Sequence, residues 1–143
     1  ELKPHRFEGL LSAVGIPVLI EAFNPAIRAG ALLTTTEEVM EIIDALGHPN
    51  IRLEYDAYHM HVTEADMAKT VEKYLALIDN VQIADFPGRG EPGTGEIDYQ
   101  AFLAALERMG FDKWVACEYE PTGPTLETLG WAEKWMAKGR TER

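Results

Sequence analysis

Four oxygen-bearing side chains recur near the C-terminal ends of β-rich runs in this 143-residue sequence. Glu21 closes Val18-Leu19-Ile20-Glu21, Asp56 closes Leu53-Glu54-Tyr55-Asp56, Gln82 lies in Val81-Gln82-Ile83-Ala84-Asp85, and Glu118 closes Val115-Ala116-Cys117-Glu118. Their separations of 35, 26 and 36 residues each suit one strand-plus-helix unit. A single acid at a strand end is more often a solvated loop residue or a helix cap, but four in succession argue for one shared purpose. Carboxylates brought close together repel unless protons or a cation intervene. An all-oxygen set without thiolates or several imidazoles suits Mg²⁺ or Mn²⁺ better than zinc.

Two further residues stand where such a site would open. His59 follows Asp56 by three positions; a lone histidine is more often a packing or surface residue, and His48 and His61 are read that way. Arg89 lies in Pro87-Gly88-Arg89-Gly90-Glu91-Pro92-Gly93, directly after the third run. Gly-rich loops are commonly plain turns. An arginine at the mouth of a site is nonetheless a natural clamp, because its planar fork binds two oxygens of a carboxylate or phosphate at once. Arg52 and Glu54 share the face of Asp56 deeper in the same run and are expected to form an internal ion pair. Cys117 alternates away from Glu118 and is expected to be buried and inert.

These residues need elements to hold them. Strands are expected at about 16–23, 51–58, 81–86 and 114–119, each rich in Val, Ile, Leu, Tyr or Phe and followed by turn residues. Helical patterns alternate with them. Phe7, Leu10, Leu11 and Val14 mark the end of a helix before Gly15. Thr35 and Glu38 make a capping box for a helix to Leu46, with Val39, Ile42, Ile43 and Leu46 as its apolar stripe and Gly47 beyond. A third helix is expected from Glu64 to Ile78 with Thr63 as N-cap, and a fourth from Tyr99 to Met109 between Asp98 and Gly110. A last one, from about Thr125 to Ala137, carries Trp131 and Trp135.

Strand and helix alternating at this rhythm predict α/β structure built from βα units on a parallel sheet. Four units are half of a (β/α)₈ barrel, whose usual length is about 250 residues. A four-stranded sheet covered on one side only would leave Leu19, Ala84 and Ala116 wet, so either helices cover both faces or further strands come from elsewhere. Oxygen ligands collected at strand tips favour the barrel rim.

The bulk properties narrow the partners. With 24 acidic against 13 basic residues the net charge is −11, which repels phosphate backbones and makes nucleic acid a poor partner. The apolar runs are far too short to span a bilayer, so no membrane association is expected. One cysteine fits a reducing cytoplasm. The chain begins at Glu1 without an initiator Met, and a fragment or processed product is the expectation.

At the same residues the sequence resembles the hydroxypyruvate isomerase branch of the xylose isomerase-like TIM barrels, which also contain tagatose/psicose 3-epimerases. The stretches that carry the resemblance are Leu19-Ile20-Glu21-Ala22-Phe23-Asn24-Pro25, Asp56-Ala57-Tyr58-His59, Val81 to Arg89, Glu91 to Tyr99 with its Gly95-Glu96-Ile97-Asp98-Tyr99, Gly110-Phe111, Cys117-Glu118-Tyr119 and Gly130-Trp131. It covers nearly the whole chain, 1–143, but only the C-terminal half of a TIM (β/α)₈ barrel. The resemblance implies that Glu21, Asp56, Gln82 and Glu118 bind a divalent metal, Mg²⁺ or Mn²⁺. It implies too that Glu21 and Glu118 exchange the substrate proton while His59 and Arg89 orient the substrate. Gln82 stands where the epimerase branches tend to use histidine, which favours the hydroxypyruvate isomerase side. The implied reaction is aldose–ketose isomerisation of hydroxypyruvate to 2-hydroxy-3-oxopropanoate (tartronate semialdehyde). The alternatives are a ketose 3-epimerase with the same metal and glutamates, and a catalytically silent half-barrel. A barrel-type DNA-repair endonuclease is opposed by the acidic charge and the scarcity of histidines. The partners expected are a small hydroxy-keto acid or sugar, and either an N-terminal half-barrel or a second copy of the chain, since a large apolar inner face is costly to expose.

Overall fold

The structure is a computed structural model, and it describes residues 15–133 and 135. Four parallel strands, β1 (Val18–Glu21), β2 (Ile51–Asp56), β3 (Ile78–Ile83) and β4 (Trp114–Cys117), lie side by side in sequence order. Between them run α1 (Thr36–Leu46), α2 (Ala57–Thr63), α3 (Met67–Tyr74) and α4 (Tyr99–Met109). Short 3₁₀ segments cover Leu75–Leu77 and Glu127–Ala132. The sequential order of neighbouring parallel strands is that of a barrel wall, here half the strands of a closed (β/α)₈ barrel.

Local chemistry accounts for the helix ends. Thr35 accepts from the Glu38 N–H while the Glu38 carboxylate accepts from the Thr35 N–H at 3.1 Å, the reciprocal box expected from sequence. Gly47 then ends α1 at φ 58°, a left-handed conformation that costs a residue with a Cβ about 1 kcal/mol or more. The Asp98 carboxylate caps α4 through the Ala101 N–H at 2.9 Å.

The helices pack on one face of the sheet. Leu53 and Tyr55 of β2 and Ile78, Val81 and Ile83 of β3 are buried against Val39, Met40 and Ile43 of α1, Val71 of α3, and Phe102, Leu103 and Leu106 of α4. The opposite face carries Leu19, Arg52, Glu54, Asn80, Gln82 and Ala116, all half-buried. Among the described residues no helix covers that face. The uncovered face is also mostly polar, not the large apolar surface expected. Its exposed apolar exception is Trp114 on the edge strand β4, whereas Val18 on β1 and Val115 on β4 are exposed on the helix side. No helix among the described residues is long and apolar enough to cross a membrane.

Several expectations need correcting. Three strands are shorter at one or both ends than the expected 16–23, 51–58 and 114–119, and β3 is displaced from 81–86, starting at Ile78 and stopping at Ile83. This strand also carries a bulge: Leu53 pairs with Ile78 but Glu54 with Asn80, so Asp79 is an extra residue in β3. The helix expected from Glu64 to Ile78 begins later, at Met67 with Asp66 rather than Thr63 as N-cap, and ends at Tyr74, and a separate helix, α2, capped by Asp56, precedes it. The segment expected as a last helix is 3₁₀ over Glu127–Ala132. The helix expected at Phe7 to Val14 and the end of the last one lie outside the described residues. Arg52 and Glu54 do not pair with each other. Arg52 turns to Asp79 at 3.3 Å and to the Ala76 carbonyl, while Glu54 accepts from the Asn80 side-chain amide. Cys117 is exposed, because β4 is the last strand of the sheet and its helix-facing side lines an open apolar groove with Phe111, Val115 and Trp131.

Candidate functional site

Strand register places the candidate residues along one rim. Asp56 and Gln82 are direct partners across β2 and β3. Glu21 pairs with Glu54, one step earlier. Glu118 lies just past β4, and its N–H still donates to the Ile83 carbonyl at 3.0 Å. Because side chains alternate along a strand, Glu21, Asp56, Gln82 and Glu118 all belong to the face without helices.

The immediate passage from β2 into α2 shapes the centre. Asp56 is the N-cap of α2, and its Oδ1 accepts from the Tyr58 N–H at 2.8 Å and the His59 N–H at 3.4 Å. Its other oxygen, Oδ2, is thereby turned to within 3.6 Å of His59 Nε2. Glu21 Oε1 lies 3.9 Å from the same nitrogen. Glu21, Asp56 and His59 therefore each present one ligand atom within 4.8 Å of the others. His59 is only 1% exposed and is fenced by aromatic rings, Phe23 at 4.9 Å and Tyr58 at 5.2 Å between centroids.

The electrostatics follow from this crowding. Burial, then the charges of Asp56 and Glu118, push the Glu21 carboxyl up to about 8. Burial raises Asp56 to about 6, against the two helix N–H groups that favour its ionised form. Burial, helped by the Arg89 charge, pushes His59 down to about 4, so its imidazole is neutral near pH 7. Glu21 Oε1, both His59 nitrogens and Gln82 Oε1 are buried without a hydrogen-bond partner. Acceptors left bare in this way are costly, and a cation among them would satisfy several at once. The donor chemistry fits a hard divalent ion: carboxylate and amide oxygens, with one neutral imidazole alongside.

Glu118 and Arg89 form the outer part of the site. Arg89 Nη2 donates to Glu118 Oε2 at 2.8 Å and its Nε to the Glu118 carbonyl at 3.4 Å. Its guanidinium carbon lies 5.1 Å from the centroid of the Tyr58 ring. Glu118 thus points at the rim arginine, whereas His59, read from sequence as a residue that orients substrate, lies within the carboxylate cluster.

Sequence reasoning passed over three residues that build this place. Tyr58 carries the arginine on its ring. Asp85, wholly buried, accepts backbone N–H bonds from the loop that bears Arg89. Glu91 ties that loop to the chain after β4, accepting from the Thr122 N–H at 3.0 Å and the Thr122 hydroxyl at 2.6 Å. An aspartate before a long Pro/Gly loop was the available signal for Asp85.

Residues 8–138 match the model of the family described as Xylose isomerase-like TIM barrel. The chain is 37% identical over 126 residues to a hydroxypyruvate isomerase of Escherichia coli, covering 88% of this chain and 49% of that protein. It is 33% identical over 124 residues to a 2-oxo-tetronate isomerase of Pectobacterium atrosepticum, covering 87% and 47%. The crystal structure of an AP endonuclease, family 2, from Brucella melitensis superposes with a TM-score of 0.84 at 32% identity, over 90% of this chain and 50% of that one. The chain thus spans about half the length of the curated relatives it matches.

Proposed function

Since this chain belongs to the Xylose isomerase-like TIM barrel family, we propose that it is the metal-binding C-terminal half of a (β/α)₈ barrel isomerase that interconverts hydroxypyruvate and 2-hydroxy-3-oxopropanoate. The observation that carries the reading is the convergence of Glu21, Asp56 and His59 within 4.8 Å, with Arg89 and Glu118 at the edge of the same site. The names of the relatives support a small hydroxy-keto acid as substrate.

In this reading Glu21, Asp56, Gln82 and Glu118 hold Mg²⁺ or Mn²⁺. The ion supplies positive charge against the negative charge that develops on the two adjacent substrate oxygens. His59, neutral and buried beside Glu21 and Asp56, orients one of those oxygens by hydrogen bonding. Arg89 takes the substrate carboxylate in its fork and in doing so gives up Glu118. Glu21 and Glu118 come from the two outermost strands and so approach the substrate from two sides. Between them a proton leaves C3, another is added at C2, and the hydroxyl proton passes from the C3 oxygen to the C2 oxygen. Ring contacts from Phe23 and Tyr58 hold His59 and keep water from it. A nuclease reading is disfavoured by the net charge of −11.

The test is exchange of the C3 hydrogens of hydroxypyruvate with deuterated solvent, followed by NMR, with the chain in its native assembly and Mg²⁺ or Mn²⁺ present. Glu21→Gln and Glu118→Gln should each slow exchange by about 10²–10⁴-fold, the usual worth of a positioned acid or base, with folding retained. A variant keeping most of the activity ends the assignment. Sedimentation should show the chain associated with a second half-barrel or with itself; a monodisperse monomer that binds neither ion refutes the metal-binding isomerase and favours a catalytically silent half-barrel.

A further inference from the structure

Asp85 is a buried carboxylate to which the proposed chemistry gives no part. It lies just past β3, wholly inaccessible, and the segment 86–97 is folded around it. Its N–H donates to the Gly90 carbonyl at 2.8 Å, closing the excursion 86–89. Its Oδ2 accepts from the Gly93 N–H at 2.7 Å and its Oδ1 from the Ile97 N–H at 3.0 Å. The Glu96 N–H donates to the Phe86 carbonyl at 2.8 Å, so the return limb is stitched to the outgoing one. Gly95 passes so close that a Cβ there would stand 2.7 Å from Asp85 Oδ1 and would collide with the Phe86 carbonyl. The Asp85 carboxylate thus holds the loop at two backbone points, Gly93 and Ile97, and its own N–H holds a third at Gly90.

What the loop holds out is Arg89, at the tip of the closed excursion with φ 56°. A non-glycine residue in that conformation is uncommon and persists only where its surroundings enforce it. Here the enforcing contacts are the Asp85–Gly90 closure on one side and, on the other, the Glu120 N–H donating to the Arg89 carbonyl at 2.8 Å. The guanidinium then reaches both Tyr58 and Glu118.

We infer that Asp85 is a positioning residue for substrate: it sets the loop that aims Arg89, and through Arg89 it selects substrates bearing a carboxylate. The inference rests on the reading of Arg89 as the carboxylate clamp. It assigns Asp85 no contact with substrate or cation.

Asp85→Asn is the sharp perturbation. The amide keeps the volume, but its NH₂ faces one of the two backbone N–H donors, so one hydrogen bond is replaced by a donor–donor contact. The first readout needs no ligand: the Arg89 Nε–H signal in ¹⁵N NMR, assigned by its loss in Arg89→Ala. In Asp85→Asn that signal should lose its protection from solvent exchange while the amides of Val81 and Ile83 keep theirs. Gly95→Ala leaves the carboxylate in place but pushes the loop off it, and should do the same if Asp85→Asn does not fold. The second readout is calorimetric binding of hydroxypyruvate and of Mn²⁺. Asp85→Asn should weaken hydroxypyruvate at least tenfold, as Arg89→Ala does, with no further loss in the double variant and Mn²⁺ affinity within twofold of the parent. An unchanged Arg89 signal, or hydroxypyruvate and Mn²⁺ affinities that fall in parallel, overturns the inference. If the parent chain binds Mn²⁺ but no keto acid, the proposed substrate falls and the Arg89 signal alone decides the role of Asp85.

Discussion

Crowding at the cluster makes metal affinity a function of pH in a calculable way. A cation binds the ionised carboxylates, so every proton they hold must leave first. With Glu21 pushed up to about 8 and Asp56 to about 6, Glu21 is about nine-tenths protonated at pH 7, and binding there should release about one proton. Lowering the pH from 8 to 6 protonates Glu21 almost fully and Asp56 by about half, which weakens binding about 100-fold, or about 2.7 kcal/mol. Above pH 9 the affinity should level off. The assay is Mn²⁺ titration by calorimetry at several pH values, repeated in buffers of different ionisation heat to count the protons. Glu21→Gln supplies the internal control. It removes the group with the larger shift, so the loss between pH 8 and pH 6 should shrink to about twofold, the part due to Asp56, on a lower overall affinity. An affinity flat between pH 6 and pH 8, or a pH slope that survives Glu21→Gln unchanged, refutes the placement of these carboxylates around one cation.

Two further outcomes follow from the same geometry. Without metal, folding stability should fall as pH rises from about 5 to 8: the folded state raises the Glu21 and Asp56 values, so their contribution is complete below the unfolded values near 4 and is lost as pH climbs through about 6 and then about 8. The loss should be at most about 5 kcal/mol in urea melts, Mn²⁺ should reverse it, and melts that strengthen over that range contradict the burial of the pair. At the loop, Gly95→Ala should cost about 1–3 kcal/mol or more, since the new methyl meets backbone rather than a flexible side chain, and a melting temperature equal to the parent's would show that the loop has room to shift.

How much of this was legible in the residues depended on the range of the interaction involved. The Thr35–Glu38 box, the Asp98 cap and the stop at Gly47 are contacts made within three or four positions, and each was readable directly. Two-residue alternation along a strand sufficed to put Glu21, Asp56, Gln82 and Glu118 on one side of a parallel sheet. The position of β3 was not readable, because it is set by the pairing of Ile78 with Leu53 and of Asn80 with Glu54, with Asp79 bulged between, a matter of contact between strands. The entry of His59 into the carboxylate cluster was hidden for a similar reason: Asp56 caps α2 and turns the helix so that His59 meets Glu21, which is 38 positions away in the chain. Arg89 resting on Glu118, and Asp85 at the hub of its loop, likewise depend on where a long turn folds back. Local hydrogen bonding and side-chain periodicity are written into neighbouring residues and so determined the elements and their faces from sequence. Register, loop closure and the mutual approach of charges are settled only when distant segments compete for the same space, so the tertiary structure alone decided which groups share the site.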